Sequence, residues 1–274
     1  MRDARTSRRF DLDALTFRIM MVGLAAIAVF ALVAPTLIVL MTSVTSSASL
    51  KFPPAGFSLR WYAALAEAYQ MQQAAWNSLV VAALTTIGSV VLGVAGALAL
   101  ARSPSAWARA LDSLFMSPLL LPALAFGFAA LMAFSLVGIR LTLWTLVIGH
   151  VVVCVPFVLR TTIASLAQVD PALLESSASL GAGRGYTFRR VTLPLIGRGV
   201  GAGAFLAFMA SFDNVPVSLF LSDARTEVLP IHLWQIIETN LDVRAAAASG
   251  VLILVTLALA TIAERLAGLT RHLS

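Results

Sequence analysis

Six apolar runs, at 19–41, 77–101, 111–136, 141–159, 195–221 and 245–266, constrain this chain more than any other feature. Each approaches or exceeds the roughly 20 residues that a helix needs to cross about 30 Å of hydrocarbon. Lipid offers the backbone no hydrogen-bond partner, so runs of this length predict helices, whose N–H and C=O groups pair internally. The composition agrees: 59% of residues are hydrophobic, 12% are charged, and the mean hydropathy is +0.92. The fold class expected is an all-α membrane protein with six transmembrane helices. The first run exceeds the about 7 to 15 residues of a signal-peptide core and reads as an uncleaved anchor.

Basic residues set the orientation, because Lys and Arg are retained on the cytoplasmic side of short loops. Arg2, Arg5, Arg8, Arg9 and Arg18 precede the first run, and Arg102 and Arg109 follow the second. Arg160, Arg184, Arg189, Arg190 and Arg198 surround the segment 170–194, and Arg265 and Arg271 close the chain. Only Lys51, Arg60, Arg140, Arg225 and Arg244 fall on the other side. Residues 1–18 and 269–274 are therefore expected in the cytoplasm, flanking a membrane domain at 19–268. This asymmetry accounts for the net charge of +6 and calls for no nucleic acid.

The segment 170–194, DPALLESSASLGAGRGYTFRRVTLP, is a polar, glycine-punctuated island between the fourth and fifth runs. Asp170 is placed to cap a helix N-terminus with Pro171 at its first position, and Gly181 stands where a left-handed C-terminal cap belongs. The helix predicted over 171–180 carries Leu173, Ser177 and Leu180 on one face, with Leu174 and Ala178 beside them. A second segment, 186–193, bears Arg189 and Arg190 and ends at Pro194, which opens the fifth run. Glu175, then Gly181 six positions on, then Val191, Leu193 and Pro194 follow the pattern Glu-Ala-Ala, three residues, Gly, nine residues, Ile-x-Leu-Pro. This resembles the coupling motif of membrane permeases of bacterial ABC importers, with Ser176 and Ser177 in place of the two alanines and Val191 in place of isoleucine.

Other stretches extend the likeness. Phe57-Ser58-Leu59 with Trp61-Tyr62, Gly149-His150, Cys154-x-Pro156-Phe157, Ser211 to Ser218 and Leu229-Pro230 together resemble the spermidine/putrescine-type branch of those permeases. The resemblance implies a type I importer permease fold with a cytoplasmic coupling helix between helices 4 and 5, in a bacterial inner membrane. It also implies as partners a second permease, homologous or a second copy, two cytoplasmic ATPase subunits and an extracytoplasmic solute-binding protein. On the matching positions, Glu175 would be the polar contact to the ATPase, Ser176, Ser177 and Ala178 would permit close approach, and Gly181 would turn the chain.

The chain carries no energy source of its own. A phosphate-binding loop needs a Gly-Lys-Ser/Thr ending, and the only lysine, Lys51, is followed by Phe52 and two prolines. ATP and Mg are therefore expected on a partner, with no cofactor or metal here. The chain has neither a His-Glu-x-x-His pair nor a Gly-x-Ser-x-Gly elbow, and no enzyme activity is expected. Glycines at 88, 93 and 96, and at 197, 199, 201 and 203, predict close helix packing, and Pro118, Pro122, Pro156 and Pro216 predict disturbed spans.

Three residues are candidates for a path. Asp213 is an ionisable group within the fifth run, costly unless it faces water or a partner, although it also stands about one full crossing after Pro194, at headgroup level. Asn214 adjoins it where polyamine permeases often have a second acid. His150 either faces the path or bonds a neighbouring helix. In the loop 222–244, Leu229, Leu233, Ile236 and Ile237 recur at helical spacing beside Trp234, predicting an interfacial helix that gates or caps the bundle. The solute expected is a polyamine or a related nitrogen-containing compound, with iron, thiamine, opine or other amino-acid-derived solutes open. A secondary transporter is the competing class, but no internal repeat or midplane coupling carboxylates accompany this pattern.

Overall fold

The computed structural model describes residues 3–101, 103, 105–240 and 242–267. Arg2, Arg102, Arg271 and the expected tail 269–274 lie outside the described residues. Among those described, twelve α-helices occur: α1 (Asp3–Ser43), α2 (Arg60–Glu67), α3 (Tyr69–Leu100), α4 (Ala106–Leu120), α5 (Ala123–Leu136), α6 (Leu143–Leu166), α7 (Pro171–Ser179), α8 (Arg184–Thr187), α9 (Leu193–Phe212), α10 (Val215–Leu221), α11 (Leu229–Asn240) and α12 (Val243–Ala267). Five stretches are long and apolar enough to cross a membrane, and α4 with α5 makes a sixth if that bent pair is one span.

Two spans depart from the sequence expectation. The third run is cut at Leu121-Pro122, where α4 and α5 meet at 107°. Pro122 has no N–H to continue the ladder of α4 and instead opens α5 as its N-cap. The fifth run does not continue to 221 as one helix. It stops at Phe212, and after Asp213 and Asn214 a separate short helix, α10, begins with the Asn214 Oδ1 accepting the Val217 amide at 3.0 Å. Pro118 and Pro156, by contrast, stay inside α4 and α6.

The chain divides into two compact units. One holds the described residues of 1–67 and 240–257. Here the Phe57 to Tyr62 stretch has a structural use: Thr45 and Phe57 form an antiparallel bridge, the Trp61 indole donates to the Thr45 carbonyl at 3.0 Å, and the Tyr62 hydroxyl bonds Ser43 Oγ at 2.8 Å.

The other unit holds the described residues of 68–239 and 258–274. Its centre is α3, α6 and α9 packed on one another, with α10 against α5 and α6. On α3 the buried residues Ser78, Ala82, Thr85, Ser89, Gly93 and Ala97 recur every three or four positions, forming one small-residue face. An added Cβ at Gly93 would stand 2.8 Å from Val158 Cβ on α6, so this crossing requires glycine. The same is true of Gly199 and Gly203 on α9, which meet Ser165, Thr161 and the Val158 backbone. Gly197 and Gly201 have nothing within 4 Å, which corrects the expectation that all four glycines pack alike. Val81, Leu146, Val147, Val217, Leu221, Val228 and Ile231 form the core above this crossing.

Candidate functional site

The polar island folds as its caps direct. Asp170 Oδ1 accepts the Ala172 amide at 2.9 Å, and Pro171 opens α7. At the other end Gly181 has φ of +79°, the Gly181 amide donates to Ala178 O at 2.9 Å, and the Ala182 amide donates to Ser177 O at 3.1 Å. These two bonds satisfy carbonyls that the helix leaves unpaired, and the geometry needs a left-handed residue. The helix itself ends at Ser179, one residue short of the expected 180.

The five residues expected at the coupling contact lie on and just after this helix. Glu175, Ser176, Ala178 and Gly181 are exposed, and Ser177 is half-buried because its hydroxyl bonds Thr187 Oγ1 of α8 at 2.8 Å. That bond folds the second segment back on the first. Leu180 is 87% exposed and Leu173 47%, large apolar groups left uncovered on this segment. A groove of about 800 Å³ runs past Leu173, Ser176, Ser177, Leu180, Tyr186 and Arg190. Glu175 lines a different hollow of about 460 Å³, with Leu174, Pro171 and the ends of α3 and α6.

The second segment is helical but underwound. Phe188–Thr192 forms a π-helical stretch, with the Leu193 amide donating to Phe188 O five residues back. Pro194 has no N–H to offer the carbonyl four residues before it, and widening the register by one residue just before it accommodates that loss. α8, this stretch and α9 thus run together from Arg184 to Phe212.

The three path candidates meet different fates. Asp213 is the C-cap of α9 and is exposed, while Asn214 spends its side chain capping α10. His150 is fully buried: Nδ1 bonds Ser211 Oγ at 2.8 Å and Nε2 bonds Ser218 Oγ at 3.0 Å. Ser211 closes α9 and Ser218 lies in α10, so one imidazole holds both sides of the break in the fifth run. The sequence motifs Gly149-His150 and Ser211 to Ser218 come together here, a pairing that sequence reasoning left open and that only the α6 to α9 packing reveals. Cys154, one turn further along α6, is buried, with its thiol on Ala207 O at 3.5 Å.

The loop before α11 is pinned to the start of α3. Asn77 Nδ2 donates to Arg225 O at 3.2 Å and to Glu227 O at 2.9 Å, and Ser78 Oγ accepts the Leu229 amide at 2.8 Å. Asp223 closes the loop. Partial burial alone would raise its carboxyl, but hydrogen bonds from the Thr226 hydroxyl and amide and the Arg225 amide, with the Arg225 charge, outweigh this and hold it below the usual carboxylate range. The helix expected in 222–244 is present as α11, with Leu229, Ile231 and Leu233 buried and Trp234 exposed.

Residues 89–269 match the family model described as binding-protein-dependent transport system inner membrane component. The spermidine/putrescine transport system permease protein of Haemophilus influenzae is 30% identical over 217 residues, covering 79% of this chain and 84% of that protein. Its Escherichia coli counterpart is 27% identical over 240 residues, covering 88% of this chain and 91% of that one. Among solved structures, a chain of a bacterial ABC transporter that imports alginate superposes with a TM-score of 0.76, covering 92% of this chain and 97% of that one at 14% identity, a likeness of fold.

Proposed function

Since this chain belongs to the family of binding-protein-dependent transport system inner membrane components and is a permease subunit of an ABC importer, we propose that α7 is where the ATPase subunits dock and that the solute is a polyamine or a related small nitrogen-containing compound. Its partners are a second permease, two ATPase subunits that hold ATP and Mg, and an extracytoplasmic binding protein. Both termini and α7 face the cytoplasm. The observation that carries the docking reading is the glycine-capped helix α7, whose apolar groups Leu173 and Leu180 stay uncovered between two membrane-length helices.

In this reading Leu173 and Leu180 fill an ATPase cleft, Glu175 supplies a polar contact, and Ser176 and Ala178 keep the approach close. The likeness to spermidine/putrescine permeases over most of their length supports the solute class, and the exposed Asp213 carboxylate gives a cation one anionic partner beside the break in the fifth run.

Two measurements test this. The single native cysteine is buried, so a Glu175→Cys variant has little background for a membrane-impermeant maleimide. Labelling is expected in inside-out vesicles and not in intact cells; the reverse pattern overturns the orientation. For the solute, the cognate binding protein is heated with spermidine, putrescine, thiamine, ferric iron or an opine. A true ligand at a hundredfold excess over its Kd adds about 2.7 kcal/mol, a rise in Tm of roughly 5 to 10 °C for a domain of ordinary size. A shift with ferric iron and with none of the nitrogen-containing compounds overturns the solute class, and a shift with thiamine or an opine alone overturns the polyamine within it.

A further inference from the structure

α6 and α9 leave the two ends of the coupling segment and stay joined along their length. Gly199 and Gly203 seat α9 on Ser165, Thr161 and Val158, the Cys154 thiol meets Ala207 O, and the His150 to Ser211 bond closes the far end. At 1.5 Å per helical residue, His150 and Ser211 each lie roughly 25 Å along their helices from Leu166 and Leu193. Such a hairpin is rigid, and it would carry a displacement of α7 along its whole length. It ends, however, at a break. At Asp213 and Asn214 the α-helical ladder gives way to short-range bonds, from the Asn214 amide to Ser211 O and from the Val215 amide to Asp213 O, so the backbone does not continue α9 rigidly into α10 and side chains must hold the two together.

We propose that His150 is the positioning residue that makes α10 move with the α6 and α9 hairpin, by bonding Ser211 on one side of the break and Ser218 on the other. This rests on the reading of α7 as the ATPase contact. A neutral imidazole has one donor and one acceptor nitrogen set at a fixed angle, and a serine hydroxyl fills either role, so both bonds form at once without a charge. Gly149 allows the approach: a Cβ there would strike Leu221 and Val217 of α10. The enclosure of the ring strengthens the hold, because a hydroxyl or ring nitrogen left unpaired in a dry site is penalised in full. α10 in turn packs on α5 through Pro216, Val217 and Phe220, which crowd Gly127, so a shift of α10 reaches the helix beyond the 107° bend.

Asn in place of histidine offers polar atoms near the Nδ1 position, and Gln offers them near the Nε2 position. His150→Gln therefore keeps the bond to Ser218, and with it the hold on α10, whereas His150→Asn keeps only the bond to Ser211. In proteoliposomes with the whole importer, His150→Asn and Ser218→Ala are expected to lower solute taken up per ATP hydrolysed by about tenfold, the cost of one buried hydrogen bond, with ATP hydrolysis retained and His150→Gln at least half restored. Spin labels at Leu195→Cys on α9 and Leu219→Cys on α10, both half-exposed, read the same question directly. The wild-type distance is expected to be single and equal with and without ATP, and to broaden in His150→Asn and Ser218→Ala. A wild-type distance that changes with ATP overturns the proposal, as do variants indistinguishable from wild type. Should the wild-type importer show no ATP-driven uptake, the coupling reading of α7 fails, and the label distances in this chain still decide whether His150 holds α10.

Discussion

Gly203→Leu is expected to prevent stable folding of this chain, giving little or no monodisperse protein on size exclusion and, in what survives, a Tm lowered by many degrees. An added Cβ at Gly203 would overlap Thr161 Oγ1 and stand 2.8 Å from the Val158 Cα, which is backbone and cannot turn aside. The helices would have to separate, and the packing along α6 and α9 that depends on their approach would be lost with them. Overpacking a core ordinarily costs about 1 to 3 kcal/mol, and a clash with backbone at a buried helix crossing belongs at or above the upper end. In lipid no hydrophobic gain between helices offsets that loss, since packing and hydrogen bonds are what hold the bundle together. Gly197→Leu is the control, because nothing stands within 4 Å of that position. It should change stability by less than about 0.5 kcal/mol. Equal yields and melting points for the two variants would show that the crossing does not depend on Gly203.

That contrast also shows how far the sequence could be read. Gly197, Gly199, Gly201 and Gly203 alternate along one helix, and nothing local distinguishes the pair that packs from the pair that does not. Only the presence of Thr161 and Ser165 opposite decides it, and that is tertiary. The prolines give the same lesson. Pro118 and Pro156 remain within α4 and α6, Pro122 stands where the chain turns by 107°, and Pro216 opens α10 behind the Asn214 cap. One residue type thus has three outcomes, because the lost hydrogen bond can be absorbed, bent around or placed at a helix start. The apolar runs were legible, since length against bilayer thickness is a property of each run alone, whereas the 107° bend that divides the third run into α4 and α5 was not. Also legible were the ends of α7, where Asp170, Pro171 and Gly181 act through bonds to residues a few positions away. His150 stood between two uses in the sequence, and the partners that distinguish them, Ser211 and Ser218, lie more than sixty residues away.

Replacing Gly181 with valine is expected to uncouple transport while leaving the membrane bundle assembled. At φ of +79° a side chain's Cβ crowds the backbone carbonyl, at a cost of roughly 1 to 2 kcal/mol, and a β-branched residue suffers more than others. The strain is relieved only by leaving the left-handed region, which breaks the Gly181 to Ala178 and Ala182 to Ser177 bonds and re-aims the chain after Leu180. Leu180 and the Ser177 to Thr187 contact then no longer hold a fixed position relative to Glu175, so the face offered to the ATPase is scrambled although α6 and α9 are untouched. Uptake in proteoliposomes should fall by tenfold or more, which corresponds to about 1.4 kcal/mol of lost coupling, while subunits co-purify and the ATPase turns over without moving solute. Asparagine tolerates the left-handed conformation far better than valine, so Gly181→Asn should recover most of the uptake, a rescue that volume alone would not give because the position opens on space with nothing within 4 Å of a Cβ. Wild-type uptake by a correctly assembled Gly181→Val importer would mean that the turn after α7 plays no part in transmitting the stroke.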